Sequence, residues 1–475
     1  MKKILALFIA IMASASMIQG EVHNGTCGDN LSWTLDTEIG ILTITGTGEM
    51  TNYKFESNIA PWWQIDYSSS IKQIVIEEGI TRIGNSAFQG CAKLTSATIT
   101  IPNSAVTIGE QAFYGCNLTQ IILPHSLENI ESKAFYGSSL TSIEIPSSVI
   151  TIGEQAFGNC SRIESITIDA LNPNYKDVDG VLYIKDGTTL IKYPEGRTTD
   201  TYFIPEGTKY IGNNAFDGNS KNLVSVTIPN SVITIGDDAF SSCSKLASII
   251  IPNSVTYIGA YAFAWCSGLT SIVIPNSVQT IGERAFFSCK NLTTVTIGSG
   301  VANIGDQAFI WCAGLASITS KAITPPSLGG NNVFLNIDKS IPLYVPEESV
   351  DVYKATTVWK DFENIVAIPD PEAEEEDVNV NYLNKTGGVI DSEQVTLTLP
   401  VTPEIEGFTF LKWVIVANDL TDGINIQAVY TANIPTEAPA EVVNPANPTQ
   451  KLVRDGNVYI LTGDKTYTVT GQEVK

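Results

Sequence analysis

The chain has 475 residues, too many for one compact core, so several domains or a repeat array are expected. Charged residues are only 16% of it, yet the formal net charge is −23, which argues against nucleic acid and anionic lipid as partners because both need a basic surface. With two histidines in all, His23 and His125, a histidine-based hydrolase or metal site is short of parts.

Residues 1–20 read as a secretory signal peptide. Lys2 and Lys3 supply the charged start, Ile4 to Met12 the apolar run and Ala13-Ser14-Ala15 a small-residue cleavage stretch. That run is too short to span a bilayer, and no later segment is longer and equally apolar. The expectation is an exported protein without a transmembrane segment, held at the cell surface or outer membrane or secreted. Residues 21–70 follow as an N-terminal β cap. Trp33, Leu35, Leu42 and Ile44 alternate with polar residues, and Pro61-Trp62-Trp63 supplies apolar surface to cover a first rung.

From residue 71 to 319 the chain repeats itself. IPNSVTYIGAYAFAWCSGLTSIV starts at Ile251, and two further 23-residue versions start at Ile274 and Ile297. The motif Ile-Gly-x-x-Ala-Phe, one copy with its Gly replaced, places Phe at 88, 113, 135, 157, 216, 240, 263, 286 and 309. A period of this length marks a solenoid, whose units bury their apolar faces only against each other. Within one unit, Leu269, Ile272 and Ile274 make a short inward-facing strand, and Pro275 ends it. Val278 and Ile281 suggest a second extended segment. Gly282 permits a bend or close contact, and Ala285, Phe286 and Cys289 have roughly helical spacing. Eleven strands are expected between Ile71 and Ile318. The 59-residue step between Phe157 and Phe216 holds a hairpin insertion at 169–200, with Lys185-Asp186-Gly187-Thr188 between two β-rich runs.

Beyond the array, residues 320–368 read as a C-terminal cap. Ile341 to Pro346 form one more strand, and Tyr353, Trp359, Phe362 and Ile365 an irregular helix-like cover. Residues 369–377 are an acidic linker and 378–433 a small β-rich module around Phe408 to Val414. A proline-rich linker spans 434–450, and a β hairpin closes the chain at 451–475. The fold class is thus mainly β with short helical or 3-10 turns: a capped solenoid plus a small C-terminal module.

L-x-x-I-x-I followed by I-P-N-S-V-x-x-I-G-x-x-A-F-x-x-C resembles the bacterial surface leucine-rich repeats of BspA type. The resemblance extends to the opening Cys27, Gly28, Leu31 and Trp33, the insertion's Asp179-Gly180-Val181-Leu182-Tyr183, and the ending Tyr344 to Pro346, Tyr353 and Trp359. It implies a right-handed solenoid on or released from the cell, adhesion to proteins of the host or of neighbouring cells, and no catalytic residues. Residues 378–433 resemble β-grasp-like modules of surface proteins, and 451–475 resemble part of a type IX sorting signal.

Seven cysteines stand three residues after a motif Phe: Cys91, Cys116, Cys160, Cys243, Cys266, Cys289 and Cys312. Ser138 and Asn219 replace them in the other copies. Small size and hydrogen bonding to nearby backbone unite the three residue types, so a buried ladder of free thiols is expected, with disulfides as the alternative. The acids Glu110, Glu131, Glu154, Asp237, Glu283 and Asp306 recur after the Gly and read as a solvated ridge. The strand face presents Ser142, Glu144, Ser165, Thr167, Ser225, Thr227, Ser248, Ile250, Ser271, Val273, Thr294 and Thr296 as a candidate binding face. It offers no nucleophile–base pair, and its composition suits either plain strand formation or a broad docking surface. No cofactor or metal is expected. The leading function is protein binding in cell adhesion. The alternative is a carbohydrate-binding scaffold, for which Tyr257, Tyr261, Trp265 and Trp311 are the candidate aromatic platforms.

Overall fold

A computed structural model describes residues 21–369 apart from 55–56, 64–70, 95–98 and 219–221. It also gives the backbone of C-terminal strands between Phe408 and Val474. The leader at 1–20, the acidic stretch from 370 and the linker at 434–448 lie outside the described residues. Contacts divide the chain after Ile368.

The N-terminal unit is a β solenoid of about 12 turns. The L-x-x-I-x-I strands line one side of the coils as a first sheet of four parallel ladders, broken at residues 121–123, at the insertion and between Ser248–Ile250 and Ser271–Ile274. Ser271–Ile274, Thr294–Ile297, Ser317–Ser320, Pro342–Val345 and Asn364–Ala367 are in register, so that Ile272, Val295, Ile318, Leu343 and Ile365 form one buried column. Cα partners one rung apart are about 4.8 Å from each other. A second parallel sheet collects the short Val-x-x-Ile segments, from Thr189–Lys192 through Tyr257–Ile258 and Thr280–Ile281 to Ser327–Leu328. The N-terminal hairpin joins the first sheet, because Ile41–Gly46 runs parallel to Gln73–Ile76. Ten of the eleven expected strands are present; residues 121–123 keep the alternation of burial without a ladder. The helix-like cover expected at 353–365 is mixed. Val350–Ala355 is helical, but Ile365 sits in a strand because a parallel edge was open beside Pro342–Val345.

The Ala-Phe-Cys segment is not helical either. Each coil turns through two left-handed residues, at the positions two before and two after the Phe. In one coil these are Arg284 (φ 53°) and Ser288 (φ 58°), and all nine motif copies share the pattern. The reason is intercoil hydrogen bonding. The N–H groups of Arg284, Phe286 and Ser288 donate to the carbonyls of Asp306, Ala308 and Ile310 in the next coil (3.0, 2.8 and 2.9 Å). A continuing helix would point those groups along its own axis. The Gly before this turn is fixed by proximity: a Cβ on Gly282 would lie 2.4 Å from Ala260 N in the preceding coil.

Inside, the phenylalanines stack with centroids 4.7–5.8 Å apart. Trp62 lies under Phe88 (5.7 Å), and its indole N–H donates to Ala87 O (2.7 Å), the acceptor that a preceding coil's Phe N–H would use. At the other end the column continues through Phe334 to Trp359 (5.0 Å).

The insertion interrupts this order. Thr189–Lys192 takes the second-sheet place of a coil, and Tyr193 takes the Phe place, stacking on Phe216 (5.1 Å) and donating its N–H to Ala215 O (2.8 Å). Tyr193 stands three positions after Leu190, whereas Phe216 stands five after Ile211. The projecting turn is therefore missing, and a cavity of about 100 Å³ opens, lined by Gly153, Glu154, Phe157, Lys192, Asn214 and Asp217 among others. Buried side chains repair the edge. Glu195 accepts the Asn159 N–H (2.7 Å), and Lys192 donates to Glu195 (2.9 Å) and to Asp217 O (3.2 Å). The apolar core divides here, Leu182 belonging to one cluster and Val181 to the other. Burial raises the Asp217 carboxyl. Burial and the neighbouring Asp217 raise Asp238 to about 6.

Three outcomes are expected. Phe263→Ala, between Phe240 and Phe286, should lower stability by about 3–5 kcal/mol in denaturant unfolding. Lys192→Met should cost on the order of 3–5 kcal/mol by leaving Glu195 buried and unpaired, and adding Glu195→Gln should recover most of that in a double-mutant cycle. A raised carboxyl contributes stability at low pH that is lost as pH rises through its folded value. The unfolding midpoint should therefore rise between pH 7 and pH 5, and Asp238→Asn should flatten the rise.

Candidate interaction surface

The first sheet turns alternate side chains outward, and register lines them into two columns. Ser142 pairs with Ser165 and Glu144 with Thr167. Ser225 pairs with Ser248 and Thr227 with Ile250. Ser271 pairs with Thr294 and Val273 with Thr296. Thr201 and Phe203 complete the columns beside Ser225 and Thr227. Phe203-Ile204-Pro205 restarts the repeat after the insertion, but outside the regular step, so the sequence marks this rung only faintly. Phe203 is 65% exposed, Ile250 83% and Val273 60%. Phe203, Thr227 and Ile250 on one ladder, and Val273 and Thr296 on the neighbouring one, thus stand on five successive rungs, roughly 20 Å in all, without a charge.

The cysteines lie on the opposite side of the backbone, in the core. All seven are buried and free. Their spacing is explained by a hydrogen bond absent from the sequence pattern: each thiol from Cys116 onward donates to the Phe carbonyl of an earlier coil. Cys116 reaches Phe88 O (2.9 Å), Cys289 reaches Phe263 O (3.1 Å) and Cys312 reaches Phe286 O (3.0 Å). Cys160, Cys243 and Cys266 do the same, and Ser138 bonds Cys160 Sγ (3.2 Å). Burial pushes Cys116 and Cys266 up to about 12 and Cys160 to about 11, and Cys91 rises for the same reason. Thiols so placed are poor nucleophiles and metal ligands. Among the described residues no group of His, Cys, Asp and Glu could hold a metal ion.

The carboxylates after the Gly are less uniform than a solvated ridge. Arg82 grips Glu131 with both terminal nitrogens (2.9 and 2.7 Å) across two coils, and these bonds hold its carboxyl below the usual range. Glu154 lines the cavity, while Asp177, in the strand Tyr175–Val178, accepts Gly180 N–H (3.3 Å) and Ile168 N–H (3.0 Å). His125 is exposed in its turn.

On the turn edge the late coils carry aromatic residues. Tyr261 stacks on Trp265 (6.2 Å), and Phe287 meets Trp265 and Trp311 edge-on (5.0 and 5.1 Å). Tyr257 projects from the second sheet instead. Trp265 (φ 58°) and Trp311 (φ 62°) are about half exposed and occupy left-handed positions that hold Gly90, Gly115, Gly137 and Gly218 in other coils. A side chain there costs about 1–2 kcal/mol relative to glycine.

The family model for the BspA type leucine rich repeat region matches residues 65–177 and 197–316 in six copies. A leucine-rich repeat protein from Eubacterium ventriosum is 26% identical, over 70% of this chain and 88% of its own, with a TM-score of 0.56. A leucine rich cell surface protein from Faecalibacterium prausnitzii is 25% identical over 63% of this chain and 94% of its own, TM-score 0.48. The pneumococcal vaccine antigen PcpA is 21% identical over 74% of this chain and 99% of its own, TM-score 0.46. Among curated proteins there is no match. Repeat spacing, coil geometry and the family model agree, and the chain belongs to the BspA-type leucine-rich repeat family.

Proposed function

We propose that this chain is an exported, non-catalytic scaffold that binds extracellular protein through the outward columns of its first sheet, in the setting of adhesion to host or neighbouring cells. One observation carries the reading: the uncharged strip from Phe203 to Thr296 exposes Phe203, Ile250 and Val273 in the middle of the array. Isolated exposed apolar residues need no explanation, but several aligned on adjacent rungs favour a protein partner. The surroundings fit. Hydroxyl side chains beside the strip can exchange hydrogen bonds with a partner at little desolvation cost, and a flat sheet face offers area rather than a pocket. Export is supported by the leader-like residues 1–20, and among the described residues no helix is long and apolar enough to cross a membrane. The carbohydrate alternative needs aromatic platforms on the binding face, whereas Tyr261, Trp265 and Trp311 stand on the turn edge and Phe203 has no ring on the rungs beside it, which carry Thr227 and Ile250.

The test is binding of the full chain to purified extracellular matrix proteins and to a glycan panel. Saturable binding to a matrix protein is expected, weakened at least about tenfold by Ile250→Glu with Val273→Glu, which place charges in the centre of the contact. Saturable binding to glycans alone would reverse the order of the two readings.

A further inference from the structure

The turn edge of the late coils is chemically unlike the sheet face, and it raises a separate question. Trp265 and Trp311 occupy a left-handed position that Ser242 and Ser288 fill in the coils between and before them. The coil does not need an indole there, since serine fills the position elsewhere, and both rings are about half open to solvent, 44% and 47% exposed. Strained backbone that carries a large exposed ring is a feature the fold itself does not require.

The rings do not make one plane. Phe287 meets Trp265 at 66° and Trp311 at 62°, so an extended sugar chain has no continuous platform to lie on. What the ridge offers is separate ring faces among carboxylates. Asp237, Asp238, Glu283 and Asp306 lie on the same turns with one cation, Arg284, while Lys245 and Lys290 follow on the next turn of their coils. The structure already contains a cation on this surface: the Arg284 guanidinium lies 5.3 Å from the Tyr261 ring centroid and 3.2 Å from Glu283. No described cation lies over Trp265 or Trp311, the two most exposed rings of this ridge. Indole is the ring that attracts cations most strongly, and surplus negative charge around it adds to that attraction.

We propose that the ridge formed by Tyr261, Trp265, Phe287 and Trp311 is a second binding site, for lysine- or arginine-bearing segments of another protein. The acidic excess of the unit that carries the ridge, 33 acidic against 19 basic residues over 21–368, selects that partner over an acidic or neutral one. The site is independent of the sheet face, so its failure leaves the function proposed above untouched.

The experiment titrates the full chain with an octalysine peptide, a glycine–serine octapeptide and neutral oligosaccharides, followed by tryptophan fluorescence and calorimetry. Octalysine should bind saturably and more weakly as salt is raised, and the neutral peptide should not bind. Trp265→Ser with Trp311→Ser keeps net charge and uses the residue that Ser242 and Ser288 carry at the same positions. It should weaken octalysine binding about tenfold, consistent with two exposed cation–π contacts. Thermal melting checks that the variant folds, and Glu283→Gln, which leaves the rings in place, should also weaken binding. The proposal is overturned by equal octalysine affinity in the Trp variant, which would mean attraction to bulk negative charge. It is equally overturned by no binding, by ring-dependent binding of an oligosaccharide, or by a ring-dependent dimer in sedimentation.

Discussion

The structure rests on the repeated hydrogen bond from one coil's turn to the next. Alternate N–H groups of the turn point along the solenoid axis and need a carbonyl one coil away, while those between them close onto carbonyls of their own coil. That demand imposes nearly identical backbone on successive coils. It explains the Gly at 236, 259, 282 and 305, each of which meets the preceding coil's backbone too closely for a side chain. It explains the left-handed pair that brackets every Ala-Phe. It also explains the cysteines, which are the side chains small enough to sit in that turn and still donate to a Phe carbonyl.

Because backbone and core are held constant, differences between coils are confined to outward positions. Phe203, Ile250 and Val273 on the sheet and Trp265 and Trp311 on the turn edge are such differences. Neither surface is a cleft. A solenoid of this kind distributes recognition over rungs, and affinity comes from area and a few anchors rather than from an enclosed site.

The ends and the insertion are where the axial hydrogen bonds have no coil to reach, and side chains stand in for backbone. The Trp62 indole replaces a missing N–H, and the Glu195 carboxylate replaces a missing carbonyl. Glu195 is buried with Lys192 beside it, so this junction depends on a buried ion pair. Both solutions use residues that the repeat consensus lacks.

The sequence alone determined the repeat, its inward columns and the buried cysteine spacing, because period and polarity are local properties of the chain. It marked Phe203 and Tyr193 only faintly. Phe203 falls outside the regular step, and Tyr193 becomes a stack member only because the insertion folds back to the Phe place. The left-handed turn was invisible, since Arg284, Tyr261 and Trp311 are residues that rarely choose it by themselves. They are held there by carbonyls 22 to 24 residues away. Which aromatic residues gather on the turn edge, and that Tyr257 does not join them, likewise depended on stacking of whole coils. Contacts between residues so distant in the chain exist only once the tertiary structure has formed.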